Sequence, residues 1–333
     1  MNPKSSNSAA SPQGLSALLP YVSIARPDHW FKNVFMLGGV VLAVFYSADE
    51  LEGVPWVPLA IGLFATCLIA SSNYVINEIL DAPKDREHPV KRLRPIPAGH
   101  VRLSLAYIEW ILLGLLGILL GLAVNWPFLL TLMALWVMGF FYNVKPFRTK
   151  EVPYLDVISE SVNNPLRLML GWFVVTPMIV PPVSLLAAYW MVGAFFMASK
   201  RFAEYRMIND PQQAAAYRSS FRHYNEERLL VSMFFYTAAC ALMLGVFIVR
   251  YKLELLLSVP LLAGFFAYYL HVTFKEDSPV QNPEHLYRQR GLMAYLAVTT
   301  FVFFALMFID WPALYEVFNV TPSQLKSLWT IGR

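Results

Sequence analysis

Hydrophobic residues in this chain fall into long uninterrupted runs, and polar residues crowd into the short gaps between them. Runs long enough to cross a bilayer at about 1.5 Å per residue cover 31–48, 54–77, 103–124, 126–142, 154–180, 183–202, 228–249, 252–274 and 291–312. The pattern predicts an all-α, polytopic membrane protein of about nine transmembrane helices, because lipid leaves no partner for an unpaired backbone group. Gaps such as 125–127 and 250–252 leave room only for tight turns.

Composition supports this reading. Of 333 residues, 57% are hydrophobic and 14% charged, which leaves no room for a large soluble domain. The formal net charge of +4 is concentrated in a few loops, so it bears on membrane orientation and not on nucleic acid. Cys67 and Cys240 lie inside apolar runs and read as helix-packing residues. His88, His100 and His223 read as loop residues, and no histidine spacing implies zinc. Residues 1–20 are rich in Ser, Pro and Ala and lack the apolar core of a signal peptide; they are expected to form a disordered cytoplasmic tail. The membrane domain is then 21–314, with a carboxyl-terminal tail at 315–333.

Basic residues set the expected orientation. Alternate gaps hold the loop after Asp81; Lys145, Arg148 and Lys150; Lys200 through Arg228; and Lys275, Arg288 and Arg290. The opposite gaps hold Asp49, Glu50, Glu52 and only Arg250 and Lys252 as cations. The asymmetry places the amino terminus in the cytoplasm and the carboxyl terminus outside, which requires an odd number of spans.

The stretch from Asn73 to Arg102 carries most of the candidate chemistry. Asn77, Asp81 and Asp85 recur every fourth residue, so on a helix they share a face and can direct oxygens at one hard cation. Pro83 is expected to end that helix and leave Asp85 on a bend. Lys91, Arg92 and Arg94 follow in a loop stiffened by Pro95 and Pro97, a segment suited to anionic oxygens. The positive-inside bias alone accounts for these cations, but not for Asn77 and Asp81, which continue an apolar run and are costly in a bilayer unless paired or metal-bound. Asn73, on the same helix, is a lesser candidate.

Further candidates lie at the ends of other runs. Arg26 and Lys32 flank the interfacial Trp30 and are either inside-flank charges or ligand contacts. Tyr142, Lys145 and Lys150 follow the fourth run; Asp156 and Glu160, one turn apart, and Arg167 enter the fifth. Lys200 and Arg201 close the sixth on the same side as Asp81, where they suit an anion. Glu204 is placed to pair with Lys200. The polar and aromatic segment 205–228 has the length of an interfacial helix or a lid.

Asn77-x-x-x-Asp81-x-x-x-Asp85, the following Lys91-Arg92-x-Arg94-Pro95-x-Pro97-Ala98-Gly99, and the Tyr and Lys after the fourth run resemble the UbiA superfamily of intramembrane prenyltransferases. Arg26-Pro-x-x-Trp30-x-Lys32-Asn33, Asp85-Arg86-Glu87-His88-Pro89-x-Lys91-Arg92 and Lys200-Arg201-Phe202-Ala203-Glu204 are most similar to its decaprenyl-phosphate phosphoribosyltransferases. The resemblance implies a helical bundle with a central cavity open to the cytoplasm. It implies Mg2+ held by Asn77, Asp81 and Asp85 on a donor diphosphate, near Lys91, Arg92 or Arg94. Lys200 and Arg201 would hold phosphate oxygens where ordinary members carry a second aspartate motif, with Tyr142 and Lys145 or Lys150 completing the clamp. The implied substrates are 5-phosphoribosyl diphosphate and a polyprenyl phosphate.

Two other readings stay open. One is prenyl transfer from a prenyl diphosphate to an aromatic or other lipophilic acceptor, with aromatic residues steadying a carbocation. The other is a lipid or solute transporter, which should place charges near mid-membrane on broken helices. The transferase readings require the acidic and cationic groups to meet at one end of the bundle.

Overall fold

The structure, a computed structural model, describes residues 18–47, 53–87, 90–281 and 283–321. The tail expected at 1–17, the acidic residues 49, 50 and 52, His88 and the carboxyl-terminal residues 322–333 lie outside that set. Among the described residues every regular element is helical. Eight helices are long and apolar enough to cross a membrane: α1 Leu18–Tyr46, α2 Trp56–Asp85, α3 Leu103–Leu122, α4 Trp126–Asn143, α7 Val183–Ile208, α9 Glu226–Tyr251, α10 Leu253–Thr273 and α11 Arg290–Met307. Two shorter pieces, α5 Leu155–Ser161 and α6 Asn163–Val175, make the ninth pass. Short helices α8 Pro211–Tyr217 and α12 Pro312–Val317 lie between and after the spans.

Two expectations are corrected. α2 does not end at Pro83; it runs through it to Asp85. Pro83 sits in the last turn and removes only the bond to the Ile79 carbonyl, while the amides of Arg86 and Glu87 still close onto Ala82 and Lys84. Asp85 is therefore on the helix and buried. The fifth run, in contrast, is divided at Val162. Pro165 cannot donate to the Ser161 carbonyl, which is where α5 stops. α1 also begins well before its apolar run, with a short helical piece, Leu19–Ile24, and then a 3-10 segment, Pro27–Phe35, entered through a left-handed Arg26 (φ 50°).

Packing follows the alternation of large and small residues. One core joins α1, α2, α4 and α6 around Phe128, Leu132 and Trp172; another joins α7, α9 and α10 around Phe195, Phe202 and Tyr269. The backbones of α1 and α6 approach closely at two glycines. A Cβ at Gly39 would strike the Leu168 carbonyl, and one at Gly171 the Met36 carbonyl.

Hydrogen bonds show which chain ends share a side. Tyr21 at the start of α1 accepts from the Arg102 amide before α3; Arg148 after α4 reaches Asp81 near the end of α2; and Arg206 on α7 reaches the carbonyl of Phe274 after α10. All of the basic loops therefore gather at one end of the bundle. At the other end Asn125 reaches Phe173, and Lys252 pairs with Asp310 at 2.6 Å.

Gly171→Val should force α1 and α6 apart, a backbone clash costing more than the about 1–3 kcal/mol of ordinary overpacking. We expect a sharply lower melting temperature in detergent and loss of the monodisperse species on size exclusion. Gly38→Ala, where a Cβ meets nothing within 4 Å, should leave both unchanged.

Candidate active site

The last three turns of α2 carry Asn77, Asp81 and Asp85 to the basic end of the bundle. The amide of Asn77 donates to Oδ1 of Asn143 at 2.7 Å, which ties α2 to the end of α4. Asn143 is buried, and its Oδ1 also accepts from Lys150 at 2.8 Å. Lys150 in turn lies 2.6 Å from Oδ1 of Asp81, and Arg148 Nη2 donates to the same oxygen at 2.9 Å. One carboxylate oxygen thus receives two cations. Asp85 uses Oδ2 for Arg94 at 2.7 Å. The Asn77 carbonyl oxygen, Asp81 Oδ2 and Asp85 Oδ1 have no protein donor among the described residues.

The connection after α4 explains why Lys150, and not Lys145, reaches this point. Arg148 takes a left-handed backbone (φ 34°), and a short 3-10 turn, Thr149–Glu151, folds Lys150 inward to 7% exposure. Lys145 stays exposed. Burial pulls the Lys150 ammonium down to about 8, and the neighbouring Asp81 carboxylate opposes that fall.

The basic loop is pinned from below by Glu78, whose Oε1 accepts from the Ile96 amide at 3.1 Å. Lys91 leaves this loop to lie 4.9 Å from the Tyr217 ring on α8. Burial lowers its pKa, and the charges acting on it include both Asp85 and Glu204. Arg92 is exposed. Asn73, one turn below Asn77, donates to the Leu135 carbonyl at 3.0 Å, and its Oδ1 is buried without a donor.

A second cluster forms around Asp156, which is wholly buried on α5. Oδ2 faces Arg201 Nε at 3.2 Å, Ser220 Oγ at 3.2 Å and Arg218 Nε at 3.4 Å, while Oδ1 accepts from Tyr224 at 2.6 Å. Arg201 Nη1 also donates to Glu204 at 2.9 Å. Burial first, and then the Asp156 charge, push the Tyr224 phenol up. Lys200, half-buried, adds positive charge beside Glu204.

Arg218 joins the two clusters. Its Nη2 donates to the Tyr142 hydroxyl at 3.3 Å and to the Lys150 carbonyl at 3.2 Å, so one guanidinium spans from Asp156 to the residue that holds Asp81. Its side chain keeps 21% exposure, and Nη1 has no protein acceptor among the described residues.

Sequence reasoning named neither Arg218 nor Ser220, Tyr224, Arg148 and Asn143 as site residues. All five lie at element ends or in loops, where no periodicity marks a face. The signal available for Arg218 was its place in the polar segment 205–228. Where α1, α2 and α6 meet, Arg26 lies 5.5 Å from the Tyr74 ring, Lys32 lies 2.8 Å from the His29 ring nitrogen, and Arg167 donates to Asn33 at 3.0 Å.

As to metal chemistry, no group of three or more His, Cys, Asp or Glu side chains suited to a metal exists among the described residues. The open oxygens of Asn77, Asp81 and Asp85 are hard donors that fit Mg2+, which takes one or two carboxylates and completes its shell with phosphate and water. Asp156 does not offer the same, because both of its oxygens already accept.

Known proteins share this architecture. A UbiA homolog from Archaeoglobus fulgidus, solved bound to GPP and Mg2+, superposes with a TM-score of 0.64 at 19% identity, covering 87% of this chain and all of that one. The decaprenyl-phosphate phosphoribosyltransferase of Corynebacterium glutamicum is 31% identical over 61% of this chain and 59% of its own length. That of Mycolicibacterium smegmatis is 28% identical over 69% of each. Residues 36–287, from within α1 to the loop before α11, match the sequence pattern of the UbiA prenyltransferase family, and the chain belongs to that family of membrane proteins.

Proposed function

We propose that this protein transfers 5-phosphoribose from 5-phosphoribosyl diphosphate to a polyprenyl phosphate such as decaprenyl phosphate, releasing pyrophosphate, at the cytoplasmic face of the membrane. The observation that carries this reading is the arginine clamp on Asp156. Where a second metal-holding acid pair would need open carboxylates, Asp156 and Glu204 are already matched by Arg201 and Arg218. That leaves one hard-cation position beside a set of guanidinium and ammonium groups, which suits a donor with a phosphate beyond its diphosphate. The names of the Corynebacterium and Mycolicibacterium relatives support the same substrates.

Asn77, Asp81 and Asp85 would hold Mg2+. When bound, it neutralises the departing pyrophosphate and so favours loss of the anomeric leaving group. Lys150 and Arg148, fixed on Asp81, place positive charge beside the same oxygens, and Arg94 does so through Asp85. The open Nη1 edge of Arg218 and the half-buried Lys200 would serve the remaining donor phosphate. In the transfer, the bond from C1 of ribose to the diphosphate oxygen breaks with its electron pair leaving on pyrophosphate. An oxygen of the lipid phosphate forms the new bond. That nucleophile is already an anion, so the protein's task is alignment more than deprotonation.

Prenyl transfer to an aromatic acceptor predicts aromatic rings around a cation site. Tyr142 is such a ring, 6.0 Å from the Lys150 ammonium, whereas Phe195 and Phe196 pack against Phe265, Phe266 and Tyr269 in the core between α7 and α10.

Membranes holding the protein, Mg2+, labelled phosphoribosyl diphosphate and decaprenyl phosphate should form a labelled lipid, and EDTA should abolish it until Mg2+ is restored. Asp81→Asn should reduce the rate by roughly a hundredfold or more. Label entering a lipid only from a prenyl diphosphate would overturn the reading.

Asp156→Asn leaves the buried Arg201 and the partly exposed Arg218 without their shared charge. Breaking such a pair costs about 3–5 kcal/mol, so we expect a lower melting temperature as well as lost transfer. An unchanged melting temperature would show that the clamp is not a structural hub.

A further inference from the structure

One carboxylate on the broken fifth pass has no place in either cluster. Asp81, Asp85, Asp156 and Glu204 each hold a guanidinium or ammonium group. Glu160 holds none: among the described residues no cation pairs with it, and no N–H or O–H donates to its oxygens. It is only partly exposed. A carboxylate without a partner on a membrane-crossing segment is costly, and such residues mark substrate sites more often than packing.

The helix that carries Glu160 fixes where it points. It follows Asp156 by four residues on α5, so both project from one face, with Glu160 one turn further into the membrane. That face is the one Asp156 turns to Arg201 and Arg218. α5 is held in this rotation from two sides: Trp190 donates to the Ile158 carbonyl at 2.9 Å, and Tyr224 donates to Asp156 at 2.6 Å. Arg218 links Asp156 to the Tyr142 hydroxyl at 3.3 Å, and the Glu160 charge acts on that same hydroxyl. It acts also on the hydroxyl of Tyr74, three residues before Asn77 on α2. Glu160 therefore lies among α2, α4 and α5, beside the Arg218 bridge and below the oxygens of Asn77 and Asp81. Arg26 and Arg167 act on Tyr74 as well, but neither pairs with Glu160.

Both phosphorylated ends of the proposed donor have cations to meet them, whereas the ribose between those ends has neighbouring hydroxyls at C2 and C3. Guanidinium and ammonium groups have no acceptor to offer a hydroxyl. An ionised carboxylate has two acceptor oxygens and no donor, which is the complement of a vicinal diol. Resting on the transferase reading, we propose that Glu160 is the specificity-determining residue for the donor sugar: its carboxylate accepts hydrogen bonds from the C2 and C3 hydroxyls. A prenyl diphosphate, which has no hydroxyls, leaves that carboxylate unmatched, and a site built to bind a hydroxyl rejects an analogue without one for this reason. The contact also favours reaction. Loss of pyrophosphate makes C1 and the ring oxygen positive, and a hydrogen bond from the 2-hydroxyl strengthens as that charge develops.

The test compares 5-phosphoribosyl diphosphate with its 2-deoxy and 3-deoxy analogues, using purified full-length protein in detergent micelles with Mg2+ and decaprenyl phosphate. The quantity read is kcat/KM for the parent donor divided by that for the analogue. Comparing this ratio between variant and unaltered protein cancels both the intrinsic reactivity of each donor and any loss of folded protein. Glu160→Ala should lower the 2-deoxy ratio at least tenfold and move the 3-deoxy ratio in the same direction. Glu160→Gln, which keeps one acceptor oxygen, should give an intermediate ratio. Unchanged ratios in Glu160→Ala, with all three rates falling together, overturn the inference and leave Glu160 a structural or purely electrostatic group. Transfer by the unaltered protein from none of the three donors overturns the proposed function and this inference with it. Transfer with unchanged ratios overturns this inference alone.

Discussion

Two cations sharing one carboxylate oxygen set the geometry of this site. Asp81 Oδ1 accepts from Lys150 at 2.6 Å and from Arg148 at 2.9 Å, in surroundings where each of the three side chains is less than a quarter exposed. In a low dielectric, such contacts are strong but require close geometry, and the backbone around them is shaped accordingly. Arg148 adopts a left-handed conformation, and the 3-10 turn that follows brings Lys150 back under α2. Asn143 completes the arrangement by linking Lys150 to Asn77. The ends of α2 and α4 are thereby fixed relative to one another by side chains that also face the chemistry.

The same logic, with the same signs, governs the second cluster. There a single buried carboxylate, Asp156, organises Arg201 from α7 and, from the 218–224 stretch, Arg218, Ser220 and Tyr224. Its role is to hold cations in place. Arg218 spans both clusters through Tyr142 and the Lys150 carbonyl, so a shift in one is felt in the other. An arginine restrained along one edge has already lost the rotamer freedom that a free side chain would lose on meeting phosphate, which is how fixed charges stabilise a transition state without reorganising.

The sequence made the helical half of this site legible and left the loop half obscure. Asn77, Asp81 and Asp85 stand out because a period of four survives along an apolar helix, and polar residues there are conspicuous. Asp156 and Glu160 were visible for the same reason. Arg218, Ser220 and Tyr224 were not, because they lie more than sixty residues from Asp156 in segments without a repeating face. Their pairing is a property of tertiary structure alone. Proline misled in both directions: Pro83 looked like a helix end but removes one bond in a final turn, whereas Pro165, inside an apparently continuous run, divides it. The choice between Lys145 and Lys150 turned on the backbone of Arg148, which no residue pattern encodes.

A broken fifth pass also accounts for where the polar residues lie. Had 155–175 formed one straight helix, Asp156, Glu160 and Arg167 would share one face at about 3.6 residues per turn. The interruption at Val162 separates them instead. Asp156 and Glu160 stay on α5 toward the clusters at the basic end, while Arg167 on α6 turns to Asn33 of α1. The pieces stay joined because Pro165 removes a single bond, and Trp190 on α7 donates to the Ile158 carbonyl at 2.9 Å, tying the first piece to its neighbour. The tight contact at Gly39 and Gly171 then holds the second piece against α1. One proline therefore lets a single pass of chain contribute a carboxylate to the arginine clamp and an arginine to the contact with Asn33 of α1, which a helix of unbroken register would place less freely.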